Sequence, residues 1–250
     1  MKTLGIVAHS AEGGALCFQE ACREGGRLLG EHLHPRIVLS AVPMALSLPG
    51  WRNERHEEVE PFLVEGVKMV AAAGADFYIC PDNTAHLVLN RIADRLPLPG
   101  LHIADVVCAE IERHGWQRVG LLGTRWTMTG RVYEDALKQR NLVRLIPESS
   151  SRERLNDAIF DELCQGIFTE STTRLFLAAI DELKSRSAQC VILGCTEIPI
   201  IVTPANSSLP VLDSTRLLAR DAVRAAVAES ASIQRSGWLP VPPPASTTSR

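Results

Sequence analysis

Two peptides carry the side chains of this sequence best suited to move a proton on and off carbon. They are Cys80-Pro81-Asp82-Asn83-Thr84-Ala85-His86 and Leu193-Gly194-Cys195-Thr196-Glu197-Ile198-Pro199. Each follows an apolar run with strand character, Ala75 to Ile79 and Cys190 to Leu193, and each precedes a segment that can start a helix. Aligned on those runs, Asp82 falls opposite Cys195, and Asn83-Thr84 opposite Thr196-Glu197. Inversion at one carbon needs an acid/base group on each face. One group removes a proton from one side, and the other delivers a proton to the opposite side.

The two groups raise different chemical problems. An amino-acid α-proton is a very weak acid, so the base must be strong and the growing carbanion stabilised. A thiolate serves if backbone amides at a helix start, or a nearby cation, lower its pKa. Thr196-Glu197 stands where such a helix would open after Cys195. A free aspartate has a pKa of about 3.9, which makes Asp82 a poor proton donor unless burial or a substrate carboxylate raises that value. Asp82 is therefore either the second acid/base group or a binder of the substrate ammonium that leaves one catalytic thiol. Cys80 shares a strand face with Asp82, one residue pair deeper, and is a further thiol candidate. Asn83, Thr84, Thr124 and Thr196 read as carboxylate holders, since short polar side chains and free amides at helix starts bind anions. The stretch from Gly123 to Gly130 has no Walker lysine, and its plain alternative is a strand-to-helix turn with a threonine cap. His86 and Glu197 either tune the acid/base groups or are solvated helix-start residues.

The elements that must position these residues alternate. Strand-like runs recur at Thr3 to Val7, Arg36 to Ala41, Asp76 to Cys80, Gly100 to His102, Arg118 to Leu122, Val143 to Ile146, Cys190 to Leu193 and Val211 to Leu212. Helical patterns lie between them, among them Gly14 to Leu29, Glu57 to Ala73, Ala85 to Arg95, Thr129 to Arg140 and Ser214 to Ser230. Strands alternating with helices predict an α/β fold with parallel sheets covered on both faces, and ligands bind beyond the carboxyl ends of such strands. Leu96-Pro97-Leu98-Pro99-Gly100 reads as a hinge, with a second crossover at Thr203 to Pro210. The expected domains are 1–97 plus 214–235, and 98–213. Residues 236–250, rich in Pro, Ser and Thr, read as a disordered tail.

Composition excludes several functions. Lys plus Arg number 26 against 29 Asp plus Glu, a formal net charge of −3. That balance gives no footprint for nucleic acid or an anionic membrane. No apolar run reaches the roughly 18 residues of a membrane span, and the start reads as a first strand rather than a secretory signal. Seven cysteines, an odd number without framework spacing, point to free thiols in a reducing cytoplasm. The histidines show no metal-ligand spacing.

The second peptide and much of the first resemble the aspartate/glutamate racemase superfamily, whose members need no pyridoxal phosphate. Gly194-Cys195-Thr196-Glu197 matches that family's second motif in full. Asn83, Thr84 and His86 match its first motif, with Asp82 in place of the cysteine. The opening loop Ala8-His9-Ser10-Ala11-Glu12-Gly13-Gly14 departs from the family's Gly-Gly-Met-Gly, and Asp213-Ser214-Thr215 is followed by Leu218 where a histidine often stands. The resemblance implies two pseudo-twofold related parallel-sheet α/β domains with the active site in the cleft between them. It implies Cys195 and Asp82 as catalytic residues and a cleft also lined by His9, Ser10 and Glu12, with Ser10 binding substrate. It further implies a cofactor-independent amino-acid racemase or epimerase for aspartate, glutamate or a related polar amino acid. No metal or other cofactor is expected. Arg52, Arg55 and Arg125 are the candidates to grip a distal carboxylate. A homodimer is the default assembly. The missing cysteine feeds one rival, a single-thiol lyase resembling arylmalonate decarboxylase; the other is a non-catalytic small-molecule sensor, against which the retained Cys195 argues.

Overall fold

The computed structural model describes residues 1–228 and 236–243. The chain splits into two compact units. In chain order, β1 (Leu4–Ala8), α1 (Ala11–Leu29), β2 (Ile37–Ala41), α2 (Met44–Arg52), α3 (Glu60–Ala72), β3 (Phe77–Ile79), α4 (His86–Ile92) and β4 (Gly100–Leu101) come first. They are followed by α5 (Ile103–Arg113), β5 (Arg118–Gly123), α6 (Arg125–Thr129), α7 (Arg131–Lys138), β6 (Val143–Leu145) and α8 (Ser149–Asp161). The remainder is α9 (Glu170–Ser185), β7 (Cys190–Gly194), α10 (Ile198–Ile201), β8 (Val211–Asp213) and α11 (Ser214–Val227).

The first unit holds a four-stranded parallel sheet in the order β2-β1-β3-β4. Every residue of β1 and β3 is buried, whereas the edge strand β2 is partly exposed. Burial on both faces is what a central parallel strand under helices requires, and it explains the unbroken apolar runs. The unit also takes the chain from Leu218 onward. There Arg220 pairs with Glu20 at 2.6 Å, Arg224 lies 3.3 Å from Glu24, and both glutamates are buried on α1.

The second unit repeats the plan, with a parallel sheet in the order β6-β5-β7-β8. Its core has two apolar clusters. One gathers Leu155, Ile159, Phe176, Ile180, Leu193 and Ile198; the other gathers Val107, Ile111, Leu121, Tyr133, Leu137 and Ile192. Each strand of both sheets follows the rule of helix-covered parallel pairing.

Several boundaries differ from the sequence expectation, among them the return to the first unit, since residues 214–217, expected with the first domain, belong to the second unit. Gly100 and Leu101 pair with Tyr78 and Ile79, so Leu96 to Pro99 leads into the fourth strand of the first sheet, and the chain changes unit after His102. The hinge expected at 97 is thus displaced, because the strand-like run at Gly100 to His102 joins the first sheet rather than opening the second unit. Residues Asp82–Leu87, expected with the first domain, belong to the second unit. The tail expected to be disordered from 236 is ordered over 236–243. Trp238 bridges to Gly100, Gly100 N donates to Gly237 O at 2.9 Å, and Leu239 N donates to Gly100 O at 2.7 Å. Trp238 also packs edge-on against His102 at 4.7 Å and meets Tyr78 at 6.2 Å. Composition alone hides this, because one tryptophan among prolines supplies the anchoring surface. The rest of the expected tail, 244–250, and positions 229–235 of the expected first domain lie outside the described residues.

Candidate functional site

Asp82, Asn83, Thr84, His86, Thr124, Cys195, Thr196 and Glu197, all singled out from sequence, belong to the second unit. The central strands there end in two adjacent glycines, Gly123 of β5 and Gly194 of β7, which are register partners. A Cβ on Gly194 would lie 2.9 Å from Leu122 O and 2.9 Å from Thr127 Cγ2, and one on Gly123 would lie 2.8 Å from Gly194 O. Backbone cannot yield at such distances, so glycine is needed at both places for Thr127 to roof the strand ends. Thr124 leaves β5 and caps α6, its Oγ1 accepting from Thr127 N at 3.3 Å.

Thr84 completes a triangle of hydroxyls, 3.1 Å from Thr124 Oγ1 and 3.2 Å from Thr127 Oγ1, with Thr124 and Thr127 themselves 3.2 Å apart. Each hydroxyl has one rotatable proton and two lone pairs. Such a ring can turn protons toward a carboxylate oxygen without placing a full positive charge there. The bland sequence reading of Gly123 to Gly130, a turn with a threonine cap, is correct as local structure, and Thr84 is what adds to it.

Asn83 is held in a buried chain. Tyr133 Oη donates to Asn83 Oδ1 at 2.6 Å, Asn83 Nδ2 donates to Ser214 Oγ at 3.0 Å, and Ser214 Oγ donates to Leu193 O at 2.9 Å. Sequence reasoning missed Tyr133 and the role of Ser214. The available signal for Tyr133 was a tyrosine on the apolar face of a helix, whose hydroxyl must find a partner once buried.

Cys195 follows β7 directly and is buried, with its Sγ donating to Glu197 Oε2 at 2.9 Å. Burial first, and then the negative charge of Glu197, push the thiol pKa well up. The sequence reading made a lowered thiol pKa conditional on a helix start or a nearby cation. Here α10 is only four residues long, and the Glu197 carboxyl lies against the sulfur. Burial and Glu197 both favour the neutral thiol. Glu197 is itself buried, and its Oε1 has no hydrogen-bond partner among the described residues. Thr196 is buried beside it.

Asp82 is half-buried with extended backbone (φ −81°, ψ 104°), and its side chain does not cap the turn Asn83–Ala85 that follows. His86 opens α4 and is fully buried, so neither it nor Glu197 is a solvated helix-start residue. The remaining candidates belong to the first unit. Ser10 caps α1 by accepting from Gly13 N at 2.9 Å. His9 is buried, lies 3.4 Å from Ser47 Oγ through Nδ1, and is lowered to about 4 by that burial. Glu12 is exposed, and Cys80 is fully buried. Arg52 is exposed, and Arg55 pairs with Glu58 at 3.0 Å. Arg125, in the second unit, is exposed and lies over the Trp126 ring at 4.8 Å. All seven cysteines are free thiols. Among the described residues no three His, Cys, Asp or Glu side chains gather as metal ligands, and no helix is long and apolar enough to cross a membrane.

Comparison with known proteins places this architecture. A broad specificity amino-acid racemase, RacX, of Bacillus subtilis is 28% identical over 168 residues, 67% of this chain and 72% of its own length. The structure of a candidate Asp/Glu racemase from Yersinia pestis superposes with a TM-score of 0.82 at 29% identity, covering 91% of this chain and 100% of that one. Unliganded arylmalonate decarboxylase shares the fold alone, with a TM-score of 0.51 at 14% identity, over 94% of this chain and 98% of its own. A family model for Asp/Glu/Hydantoin racemases matches residues 18–222, and the chain belongs to that family.

Proposed function

We propose that this chain is a cofactor-independent amino-acid racemase or epimerase, acting on aspartate, glutamate or a related polar amino acid. The observation that carries the reading is the pairing of a buried neutral thiol, Cys195, with a carboxyl group, Asp82, on the peptide that the same unit holds beside the end of β7. At neutral pH an aspartate ordinarily brings a carboxylate, the base form. Cys195 brings an S–H, the acid form. Asp82 takes the α-proton from one face, and electron density moves into the substrate carboxylate, which the hydroxyls of Thr84, Thr124 and Thr127 receive along with Thr196. Cys195 then gives its proton to the opposite face. The site ends with a neutral Asp82 and a Cys195 thiolate, which is the pair of states needed to work on the other enantiomer. A thiolate beside Glu197 is disfavoured by like charge, so proton uptake, directly or through Glu197, resets it.

Arg125 is the guanidinium next to Thr124 and is proposed to meet the distal carboxylate of an acidic substrate. Free thiols suit a reducing cytoplasm, and a homodimer is the expected assembly. The shared fold of arylmalonate decarboxylase and the loss of one thiol favour a second reading, decarboxylation with protonation by Cys195 alone.

One incubation separates the readings. Each enantiomer of aspartate and glutamate, and an arylmalonate, is held with the protein in D2O. Racemisation gives α-deuterium with inversion; the lyase gives CO2 and a deuterated product. A protein that does neither with any candidate substrate is the sensor.

A further inference from the structure

The buried chain from Tyr133 to Leu193 has a forced direction. A phenol at this depth is a donor, and burial raises its pKa so that it remains one. Ser214 has a single proton, which goes to Leu193 O at 2.9 Å, so it can only accept from Asn83 Nδ2 at 3.0 Å. The amide oxygen must then face Tyr133, from which it accepts at 2.6 Å. Asn83 and Ser214 are buried, and Tyr133 is fully so. Turning the amide over would set Asn83 Oδ1 against the Ser214 oxygen, whose proton already goes to Leu193 O, and a buried acceptor left unpaired is costly. The chain also has meaningful endpoints. Asn83 is the residue after Asp82, and Leu193 is two residues before Cys195. It runs from the peptide that bears the carboxyl group to the strand that bears the thiol.

We propose that Tyr133 and Ser214 are positioning residues that fix the spacing and orientation of Asp82 relative to Cys195. This rests on the reading of those two as the acid/base pair. Neither Tyr133 nor Ser214 need touch substrate. Their effect falls on the one event that requires both groups at once, transfer of chirality across the carbon. Exchange with retention, in which one group removes and returns a proton, requires only one of them.

The test measures both events in the same sample. Wild type, Tyr133→Phe and Ser214→Ala are each incubated with L- and D-aspartate and with L- and D-glutamate in D2O. NMR reads α-deuterium and chiral chromatography reads inversion. Misplacement of a reacting group by about 1 Å costs on the order of 10²-fold, so each variant is expected to lose about 10-fold to 100-fold in inversion. Exchange with retention falls by a smaller factor, so the ratio of exchange to inversion rises in both. A merely structural role would lower both events together and leave the ratio at its wild-type value, and that result overturns the proposal. Should Tyr133→Phe be too unstable, Tyr133→Phe/Asn83→Leu removes both partners of the bond and avoids the unpaired oxygen; the same rise in the ratio is expected. If wild type exchanges no α-proton with either amino acid, the acid/base reading itself falls and takes this inference with it. That failure shows in the parent protein, whereas failure of the inference alone shows only in the variants.

Discussion

Asp82 and Cys195 follow strands that occupy the same place in two sheets built alike. β3 is third in β2-β1-β3-β4, and β7 is third in β6-β5-β7-β8. The neighbouring strand in each sheet leads to a hydroxyl that caps the next helix, Ser10 after β1 and Thr124 after β5. Beyond that common scaffold the surroundings diverge. The thiol is buried with a buried carboxylate 2.9 Å away, whereas the carboxyl of Asp82 is half-buried at the head of a short turn. Equivalent positions thus hold chemically different groups, a buried thiol whose neutral form is favoured and a half-buried carboxyl group. The difference teaches that this scaffold tolerates chemical asymmetry at the two strand ends, and that the asymmetry should appear as direction in the reaction.

The sharpest way to break that comparison is to remove the thiol. Cys195→Ala should keep the fold, since it trims one buried sulfur, and should lose turnover by at least about 10²- to 10⁴-fold, the usual worth of a general acid/base group. Turnover is read by deuterium incorporation, and folding by circular dichroism. A folded Cys195→Ala protein at wild-type rate would mean the thiol takes no part.

The next change acts on the other end. Reference pKa values of a carboxyl and a thiol differ by about 4.6, roughly 3.9 against 8.5. Burial and Glu197 widen the gap on the thiol side by pushing Cys195 up. Wild type should therefore run faster from the enantiomer whose α-proton faces Asp82, although the equilibrium constant between enantiomers stays at one. Asp82→Asn should slow proton exchange on one face more than it weakens binding, and Asp82→Cys should bring the forward and reverse rates closer. Equal wild-type rates for both enantiomers in Asp82→Asn would leave Cys195 as the lone acid and favour the lyase reading.

How much of this was legible beforehand depends on where each signal lives in the chain. The parallel α/β architecture was written in the apolar runs, because a strand buried on both faces cannot afford polar residues. The places of Thr84 and Thr124 after strands were readable from sequence. Their meeting with Thr127 was not, since it depends on two glycines ending neighbouring strands at one level. The direction of the Cys195 shift could not be read from sequence. Sequence shows a polar pair after the cysteine but not that the following helix is a single turn, or that Glu197 folds back onto the sulfur. The boundary after His102 was missed because the run at Gly100 to His102, legible as a strand, carries no signal of which sheet it joins. α2 was missed because Pro49 and Gly50 disguise it.

A smaller effect sharpens the comparison at the first strands. After β1 stands His9, and the equivalent turn after β5 has no ionisable counterpart at Thr124. Burial lowers His9 from the usual 6.5 to about 4. A histidine with a depressed pKa is neutral in both states above pH 6.5 and has no effect there. As pH falls below 6.5 the unfolded chain takes up the proton first, so stability is lost progressively until about pH 4. A shift of that size corresponds to about 3 kcal/mol at 1.36 kcal/mol per unit. His9→Gln should flatten the decline in urea midpoint between pH 6.5 and 4. An identical decline in the variant would mean that other groups cause it.

The smallest expected effect concerns the fourth strands. β8 completes the second sheet through its pairing with β7, while β4 of the first sheet receives a further segment, the bridge at Trp238. A two-residue strand offers little pairing of its own, and a Cβ on Gly100 would lie 2.6 Å from the Tyr78 ring and 2.8 Å from the Trp238 ring. Glycine there lets the two aromatic rings close over the strand, and His102 packs edge-on against the same tryptophan. Aromatic contacts of this kind add about 0.5 to 1.5 kcal/mol each beyond burial. Trp238→Ala should therefore cost about 1 to 2 kcal/mol, which for a unit of this size is about 2 to 8 °C in Tm. A chain ending at residue 235 should lose at least as much, because the backbone bonds to Gly100 go with the ring. Both should keep their catalytic direction, since Asp82 and Cys195 belong to the other unit. A wild-type Tm in Trp238→Ala together with a lowered one in the shortened chain would assign the anchoring to the backbone bridge, and a wild-type Tm in both would remove the segment from the account of the first unit's stability.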